Sequence, residues 1–346
     1  MNDCFITNIK INQVRNIKDT SIKLSDDVSK NLIITGPNGS GKTSLLESLR
    51  FQITNLLKAD GKIFSENVNH LKKQFSDETI ILTHSESMKY VKLTDENSNK
   101  SDLINYITNI SGLNVDIKNF DRVQDEYLKG KFIVSYYQAE REYIVKSEKQ
   151  IRNVGFKNTY TVNENPGKDF VEYLKSLIIQ ENMYRYKKSD TKIADDLQQR
   201  IERIKRIIQN IYDNDDIDFD FDIETMNLRI KEPEKMPYSF DELASGYAAV
   251  FYIVLDLMMR MEKKVTDAYD LPGIVMIDEV DAHLHLSMQR NVLKNLTELF
   301  PNIQFIVTTH SPFVLNSVEN AVIYDLGNNM RIDSEDGLYK LPILAL

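Results

Sequence analysis

The chain has no tryptophan and a single cysteine, Cys4, among its 346 residues. One cysteine excludes a disulfide framework within the chain and fits a reducing compartment. Positive charge is also short: 43 Lys and Arg stand against 52 Asp and Glu, a formal net charge of −9. That balance argues against a surface broadly adhesive to nucleic acid and leaves only local basic patches open. No apolar run approaches the roughly 20 residues of a membrane span. The opening Met1-Asn2-Asp3-Cys4 lacks the basic-then-apolar order of a signal peptide. No membrane is expected as a partner, and the cytoplasm is the expected location. Repeats and low-complexity tracts are absent. What remains is the composition of a soluble globular chain, 42% hydrophobic and 27% charged, long enough for one large or two ordinary domains.

Glycine is scarce too, at 12 residues, yet three fall within Gly36-Pro37-Asn38-Gly39-Ser40-Gly41-Lys42-Thr43. This stretch fits G-x-x-x-x-G-K-[ST], a phosphate-binding loop. The apolar run Asn31 to Thr35 before it predicts a buried strand. Leu45, Leu46 and Leu49 behind it predict a helix, which extends to about Lys58. Strand, glycine loop and helix together are the context the motif needs. The backbone N–H groups of Asn38, Gly39, Ser40, Gly41 and Ser44 can turn toward phosphates, helped by the helix dipole. Lys42 can reach the β- and γ-phosphates, and the Thr43 hydroxyl can hold Mg²⁺.

Elsewhere the chain alternates strands and helices. Residues 5–14 alternate apolar and polar positions, Ser21–Leu24 predicts a second short strand, and Arg15–Lys18 between them reads as a solvated turn. Asn67–Phe75 and Leu103–Ile110 read as helices, Thr79–Thr83 with Met88–Leu93 as a hairpin, and Thr94–Ser101 as loop. Lys131–Tyr137 predicts a buried strand ending at Gln138. Residues 142–167 read as a mobile connection. Lys168 to Tyr212 is helical, with one stripe at Phe170, Leu174, Leu177 and Ile178 and another at Ile193, Leu197, Ile201, Ile204 and Ile208. Arg200, Arg203, Lys205 and Arg206 read as a solvated face rather than a nucleic-acid or partner surface. Asp218, Asp220, Asp222 and Glu224 follow strict strand alternation, which explains them more simply than a metal site does. Phe240–Lys263 predicts a further helix.

Two more apolar strands end in chemistry. Gly273–Ile277 leads into Asp278 and Glu279, and Ile303–Thr309 leads into His310-Ser311-Pro312. A buried parallel strand delivers its last residues to the carboxyl edge of the sheet, where ligands bind. There Asp278 would organise a Mg²⁺ shell and Glu279, pointing to the other side of the strand end, would take a proton from an attacking water. His310 would contact a γ-phosphate or position the water. His283 and His285 lack the cysteine or third histidine that a zinc site needs.

In this order the motifs resemble the ATPase heads of the ABC class, closest to the SMC, Rad50 and RecF branch and to the ATPase part of OLD-like proteins. Val280–His285 looks like their D-loop and Thr309–Pro312 like their switch histidine. Leu243-Ala244-Ser245-Gly246-Tyr247 stands where they carry an L-S-G-G-Q type signature, with Ala244 for serine and Tyr247 for the terminal Gln or Glu. Gln138 is similar in position to the Q-loop glutamine that touches Mg²⁺, and Arg15 to an arginine that contacts nucleotide. The resemblance implies an α/β fold of the P-loop NTPase class, an ABC-type head with a mixed sheet and a helical insertion. It divides the chain into residues 1–141, the N-terminal part of the head, 142–215, the insertion, and 216–346, the C-terminal part. It implies ATP and Mg²⁺ as cofactors, and a homodimer or higher even-numbered oligomer in which Ser245 and Gly246 of one subunit cover the ATP of another. The insertion is too short for a long coiled coil, and the stretch up to Leu346 leaves no room for the nuclease domain that follows in OLD-like proteins. Short heads of this kind resemble bacterial anti-phage ATPases of the Septu, retron-associated and PARIS type, which act with a separately encoded effector. The alternatives are a RecF-like repair ATPase on duplex DNA, a nucleotide-dependent scaffold with little hydrolysis, and, less fitting, a transporter ATPase.

Overall fold

The computed structural model describes residues 3–58, 79–84, 87–92, 108–109, 111–141, 154–187, 191–263 and 269–333. The N-terminal alternation forms β1 (Ile6–Val14), which reverses through Arg15 and Asn16 into β2 (Ile17–Lys23). The expected loop at 15–18 is thus a tight two-residue turn, because Ile17 and Lys18 already pair with Val14 and Gln13. A register shift between Ile6 and Asn8 resets the phase of β1, so that Ile6, Ile9 and Ile11 are all buried. The phosphate-loop strand is β3 (Asn31–Thr35) and its helix is α1 (Lys42–Lys58). Strands β4 (Thr79–His84) and β5 (Ser87–Lys92) pair antiparallel as the expected hairpin. The predicted elements at 67–75, 94–101 and most of 103–110 lie outside the described residues.

Strand β6 (Leu113–Ile117) joins β1 and β2 in an antiparallel sheet of order β2-β1-β6, and α2 (Phe120–Leu128) leads to β7 (Ile133–Tyr137). The long helical stretch is two helices, α3 (Phe170–Lys187) and α4 (Thr191–Tyr212), which fold back on one another. The Arg185 guanidinium near the end of α3 donates to Gln198 of α4 at 2.9 Å. Strands β8 (Asp218–Asp222), β9 (Asn227–Lys231) and β10 (Tyr238–Ser239) form a small antiparallel sheet. Its acidic residues are engaged locally: Asp220 pairs with Arg229 across the strands and Asp218 with Lys205 of α4. Helix α5 (Ser245–Met261), β11 (Gly273–Ile277), α6 (Leu286–Leu299), β12 (Ile303–Thr308), α7 (Pro312–Leu315), β13 (Ala321–Asp325) and β14 (Met330–Asp333) complete the chain.

The principal sheet has the order β14-β13-β3-β12-β11-β7 and is parallel except for β14. Alternate residues of its strands feed two cores. Ile33, Val275, Ile277, Phe305 and Val307 pack with α3, α4, α5 and α6, whereas Leu32, Ile34, Ile274, Met276 and Ile306 pack with α1, α2 and β1. Each apolar run is therefore buried on both faces, as a covered parallel sheet requires.

The segment before α3 is not the loose connection expected of 142–167, as far as it is described. Val162, Pro166 and Gly167 are buried, and a Cβ on Gly167 would stand 2.7 Å from the backbone nitrogen of Asp256. The reason is a buried ion pair within α5. Arg260 Nε donates to Asp256 at 2.7 Å, and the same guanidinium donates to the carbonyls of Thr161 and Glu164. Tyr137 at the end of β7 donates its hydroxyl to the same carboxylate at 2.6 Å.

One buried amide holds the N-terminal sheet to the principal one. The Gln304 side chain of β12 accepts from the Ile6 N–H at 2.7 Å and donates to the carbonyls of Ile6 and Lys30 at 3.0 and 2.8 Å. Gln304→Leu would strand those groups away from water, each at roughly 1–3 kcal/mol. We expect the urea midpoint to fall by the equivalent of about 3 kcal/mol with an unchanged m-value. A shift within the error of the parent would show that β1 is held by packing alone.

Candidate functional site

Parallel pairing puts the C-terminal ends of β3, β12 and β11 on one edge, with β12 between the other two. Three of the four sequence motifs thereby converge. The phosphate loop leaves β3 through Gly36 at φ +142°, Gly39 at +77° and Gly41 at +101°, conformations that glycine adopts at little cost. Lys42 opens α1 and is 6% exposed. Its ammonium donates to the carbonyls of Gly36 and Pro37 at 2.9 and 3.1 Å. Burial lowers its pKa below the usual lysine range, against the attraction of Glu279, Asp278 and Asp281. Ser44 is buried and Thr43 is exposed in the first turn. Ser40 Oγ is buried within the loop without a hydrogen-bond partner.

The acidic turn is set by two hydroxyls at the end of β12. Thr308 donates to Asp278 Oδ1 at 2.6 Å and accepts from the Glu279 N–H at 2.7 Å. Thr309 donates to Asp281 and accepts from the Ser311 N–H. Asp278 is 3% exposed and extends the ladder, its N–H bonded to the Tyr137 carbonyl at 2.8 Å. Glu279 then leaves strand geometry at φ +45°. The two carboxylates are separated by this left-handed turn, not by the strand alternation expected of them. Arg141, just beyond β7, spans the same turn. It donates to the carbonyls of Gln138, Asp278 and Glu279 at 3.3, 3.0 and 2.9 Å. Burial draws its guanidinium below the usual arginine range, opposed by the charges of Asp278, Asp281 and Glu279. Sequence reasoning missed Thr308, Thr309 and Arg141. The paired threonines at a strand end were a usable signal, whereas nothing local marks Arg141.

The other expected site residues divide into three groups. Gln138 is exposed where β7 ends beside β11, and His310 is exposed directly after Thr309, whose N–H bonds the Ile34 carbonyl of β3. Both stand on the edge that carries Lys42 and Asp278. Arg15 is exposed at φ +50° in the hairpin turn, and it does not line the neighbouring cleft. That cleft, of about 470 Å³, lies between β2, the phosphate loop and the turn after β13, and takes Asn16, Lys18 and Thr20 from the hairpin, Asn38 from the loop, and Leu326 and Asn329 from the turn. Its size suits a small-molecule ligand. Ser245 and Gly246 open α5 elsewhere. A Cβ on Gly246 would meet Met288 Sδ at 3.2 Å and the His283 carbonyl at 3.3 Å, so the signature packs on the turn that follows the acidic pair. Among the described residues no hydrogen bond joins Ser245 or Gly246 to the phosphate loop. Tyr247, the departure from the usual signature, stacks on Tyr212 of α4 with ring centres 4.3 Å apart.

The donor set fits a nucleotide with Mg²⁺. Thr43, Asp278 and Gln138 are hard oxygen donors on one edge, and the unpaired Ser40 hydroxyl and the glycine N–H groups suit phosphate oxygens.

A family described as "AAA domain, putative AbiEii toxin, Type IV TA system" matches residues 32–316. The Septu protein PtuA of Bacillus mycoides is 25% identical over 319 residues, covering 91% of this chain and 39% of its own length. The chain thus spans about two-fifths of that relative. The Retron Vc95 probable ATPase of Vibrio cholerae is 25% identical over 92% of this chain and 74% of its own length. Among solved structures, an SMC head domain from Thermotoga maritima aligns over 92% of this chain and 94% of that one, with a TM-score of 0.41 and 13% identity.

One wall of the cleft depends on a close approach. A Cβ on Gly327 would stand 2.7 Å from Pro37 Cδ of the phosphate loop. Gly327→Val should push the two apart and weaken binding of a fluorescent ATP analogue by about tenfold, equivalent to ~1.4 kcal/mol, with little change in the urea midpoint. Unchanged affinity would mean that this turn does not shape the nucleotide site.

Proposed function

Since the chain belongs to the family of AAA-type ATPase domains described as putative AbiEii toxin of type IV toxin–antitoxin systems, we propose that it binds and hydrolyses ATP, dimerises around the nucleotide and thereby controls a separate effector, a nuclease or toxin, in bacterial anti-phage defence. The observation that carries the reading is the placement of Lys42 and of Asp278, Glu279 and Asp281 on one sheet edge, near enough for their charges to act on its ammonium and beside a cleft of about 470 Å³.

In this reading the Lys42 ammonium exchanges the carbonyls of Gly36 and Pro37 for the β- and γ-phosphates. Thr43, Asp278 and Gln138 would hold Mg²⁺, which would supply positive charge against the phosphate oxygens. Glu279 accepts a proton as water attacks the γ-phosphorus, and ADP leaves with its bridging oxygen. His310 stands at the same edge to contact the γ-phosphate. The exposed start of α5, with Ser245 and Gly246, is an N–H-rich helix end with no bond to its own phosphate loop among the described residues. A second copy offers what it lacks, since the γ-phosphate in one subunit can accept from the helix start of another. ATP then favours the closed pair and hydrolysis removes that preference. The effector role draws support from relatives named Septu protein and retron ATPase. A protein partner suits the surface better than nucleic acid, because Lys205 and Arg200 of α4 face carboxylates of this chain, Asp218 at 3.1 Å and Glu262 at 3.8 Å.

The test is the solution mass of Glu279→Gln with and without ATP and Mg²⁺. A monomer that doubles in mass only with ATP, together with a Lys42→Ala variant that stays monomeric, is the expected result. A mass indifferent to ATP would sink the gated pair, and hydrolysis by Glu279→Gln at the parent rate would sink the assigned base.

A further inference from the structure

We propose that Arg141 is a positioning residue for hydrolysis: its guanidinium grips the carbonyls of Asp278 and Glu279 and so fixes where the Glu279 carboxylate stands. The inference rests on the reading of Glu279 as proton acceptor and adds a residue that none of the four motifs contains.

Three observations carry it. First, the grip is bidentate across consecutive peptides: one terminal nitrogen lies 3.0 Å from the Asp278 carbonyl and the other 2.9 Å from that of Glu279. Only a planar fork spans two such acceptors, and an ammonium is a single point. Second, the gripped peptides form the turn at which β11 ends, where Glu279 takes φ +45° without being glycine. Such a conformation persists only where its surroundings hold it. The Thr308 hydroxyl holds the Glu279 N–H, Ala282 N–H reaches the Glu279 carbonyl, and Arg141 holds both carbonyls from the other side. Third, Arg141 is 9% exposed and its Nε is buried without a hydrogen-bond partner. A side chain that served packing alone would not bring an unsatisfied N–H into the interior. Since the same guanidinium also donates to the Gln138 carbonyl, it ties the end of β7 to the acidic turn.

The chemistry requires such support. A carboxylate that takes a proton from water must stand within hydrogen-bond reach of it, and a displacement of about 1 Å can cost 100-fold in rate. Arg141 spends its terminal nitrogens on three backbone carbonyls and lies outside the lining of the cleft, so its loss should act on kcat rather than on ATP affinity.

The experiment compares kcat and KM for ATP in the parent, Arg141→Met, Arg141→Lys, Arg141→Ala with added guanidinium, Glu279→Gln and Lys42→Ala. The expected result is a kcat lowered about 30- to 100-fold in both Met and Lys variants, KM within about threefold of the parent, and partial recovery of Arg141→Ala by guanidinium but not by an equal concentration of ammonium. Retention of parental kcat by Arg141→Met, or a loss carried by KM alone, would overturn the proposal. If Arg141→Met does not fold, judged by its urea transition, the Lys variant decides on the same criteria. Failure of the underlying reading looks different: a parent no faster than Lys42→Ala, or a Glu279→Gln variant at the parental rate, removes the hydrolytic base and the proposal with it.

Discussion

A buried ammonium has to be surrounded by acceptors, and at Lys42 that requirement organises the carboxyl edge of the sheet. The group is 6% exposed and donates to two carbonyls of its own loop. Three carboxylates supply attraction that offsets part of its desolvation. Two of them, Asp278 and Asp281, are in turn held by threonine hydroxyls on the neighbouring strand. The edge thus carries two acids, each placed by a hydroxyl, together with the buried ammonium. Its order depends on the parallel register of β3, β12 and β11, since a slip of one residue would turn Thr308 away from Asp278.

A buried ion pair plays a comparable part away from that edge. Asp256 is fully buried and Arg260 nearly so, and together they receive or donate hydrogen bonds from β7 and from the segment before α3. The Tyr137 hydroxyl lies well above the usual tyrosine range, first through burial and then through the Asp256 charge, so it remains a donor. Buried pairs contribute little net stability compared with apolar residues of equal size, but they fix one arrangement over its competitors. Here the arrangement sets helix α5 against the end of β7. The start of that helix carries Ser245 and Gly246, and the end of β7 carries Gln138. The stacked Tyr212 and Tyr247 rings fix the same helix start from the side of α4, and the Tyr238 hydroxyl, which donates to the Glu232 carboxylate, accepts from that of Tyr212 at 2.9 Å. An aromatic residue at the last signature position therefore trades a polar side chain for anchoring of the helix.

Local patterns of residues were legible because their physics is local. The glycine positions of the phosphate loop, the helix stripe behind it and the apolar runs that end in acids or histidine follow from the backbone needs of a few neighbouring residues. The continuous apolar runs of β3, β11 and β12 also called for burial on both faces, and their residues divide between the two cores. The errors arose where a distant partner overrode the local signal. Residues 154–167 look polar and glycine-containing, yet Arg260 collects their carbonyls. The turn at 15–18 reads as solvated, yet Ile17 lies against Gly41. The acidic pair reads as strand alternation, yet Thr308 and Arg141 hold Glu279 in a left-handed turn.

By itself the sequence determined that this chain would build a phosphate loop between strand and helix and present two acids and a histidine at strand ends. Those features rest on conformational preferences and periodicities that operate over a few residues. Only the tertiary structure decided that β12 separates β3 from β11, that Arg141 meets Asp278 and Glu279, 137 and 138 positions away, and that Gly327 closes on Pro37. Such contacts depend on which strands pair and in what register. That choice is settled by the burial of both sheet faces at once, a collective property that no short stretch of the chain carries.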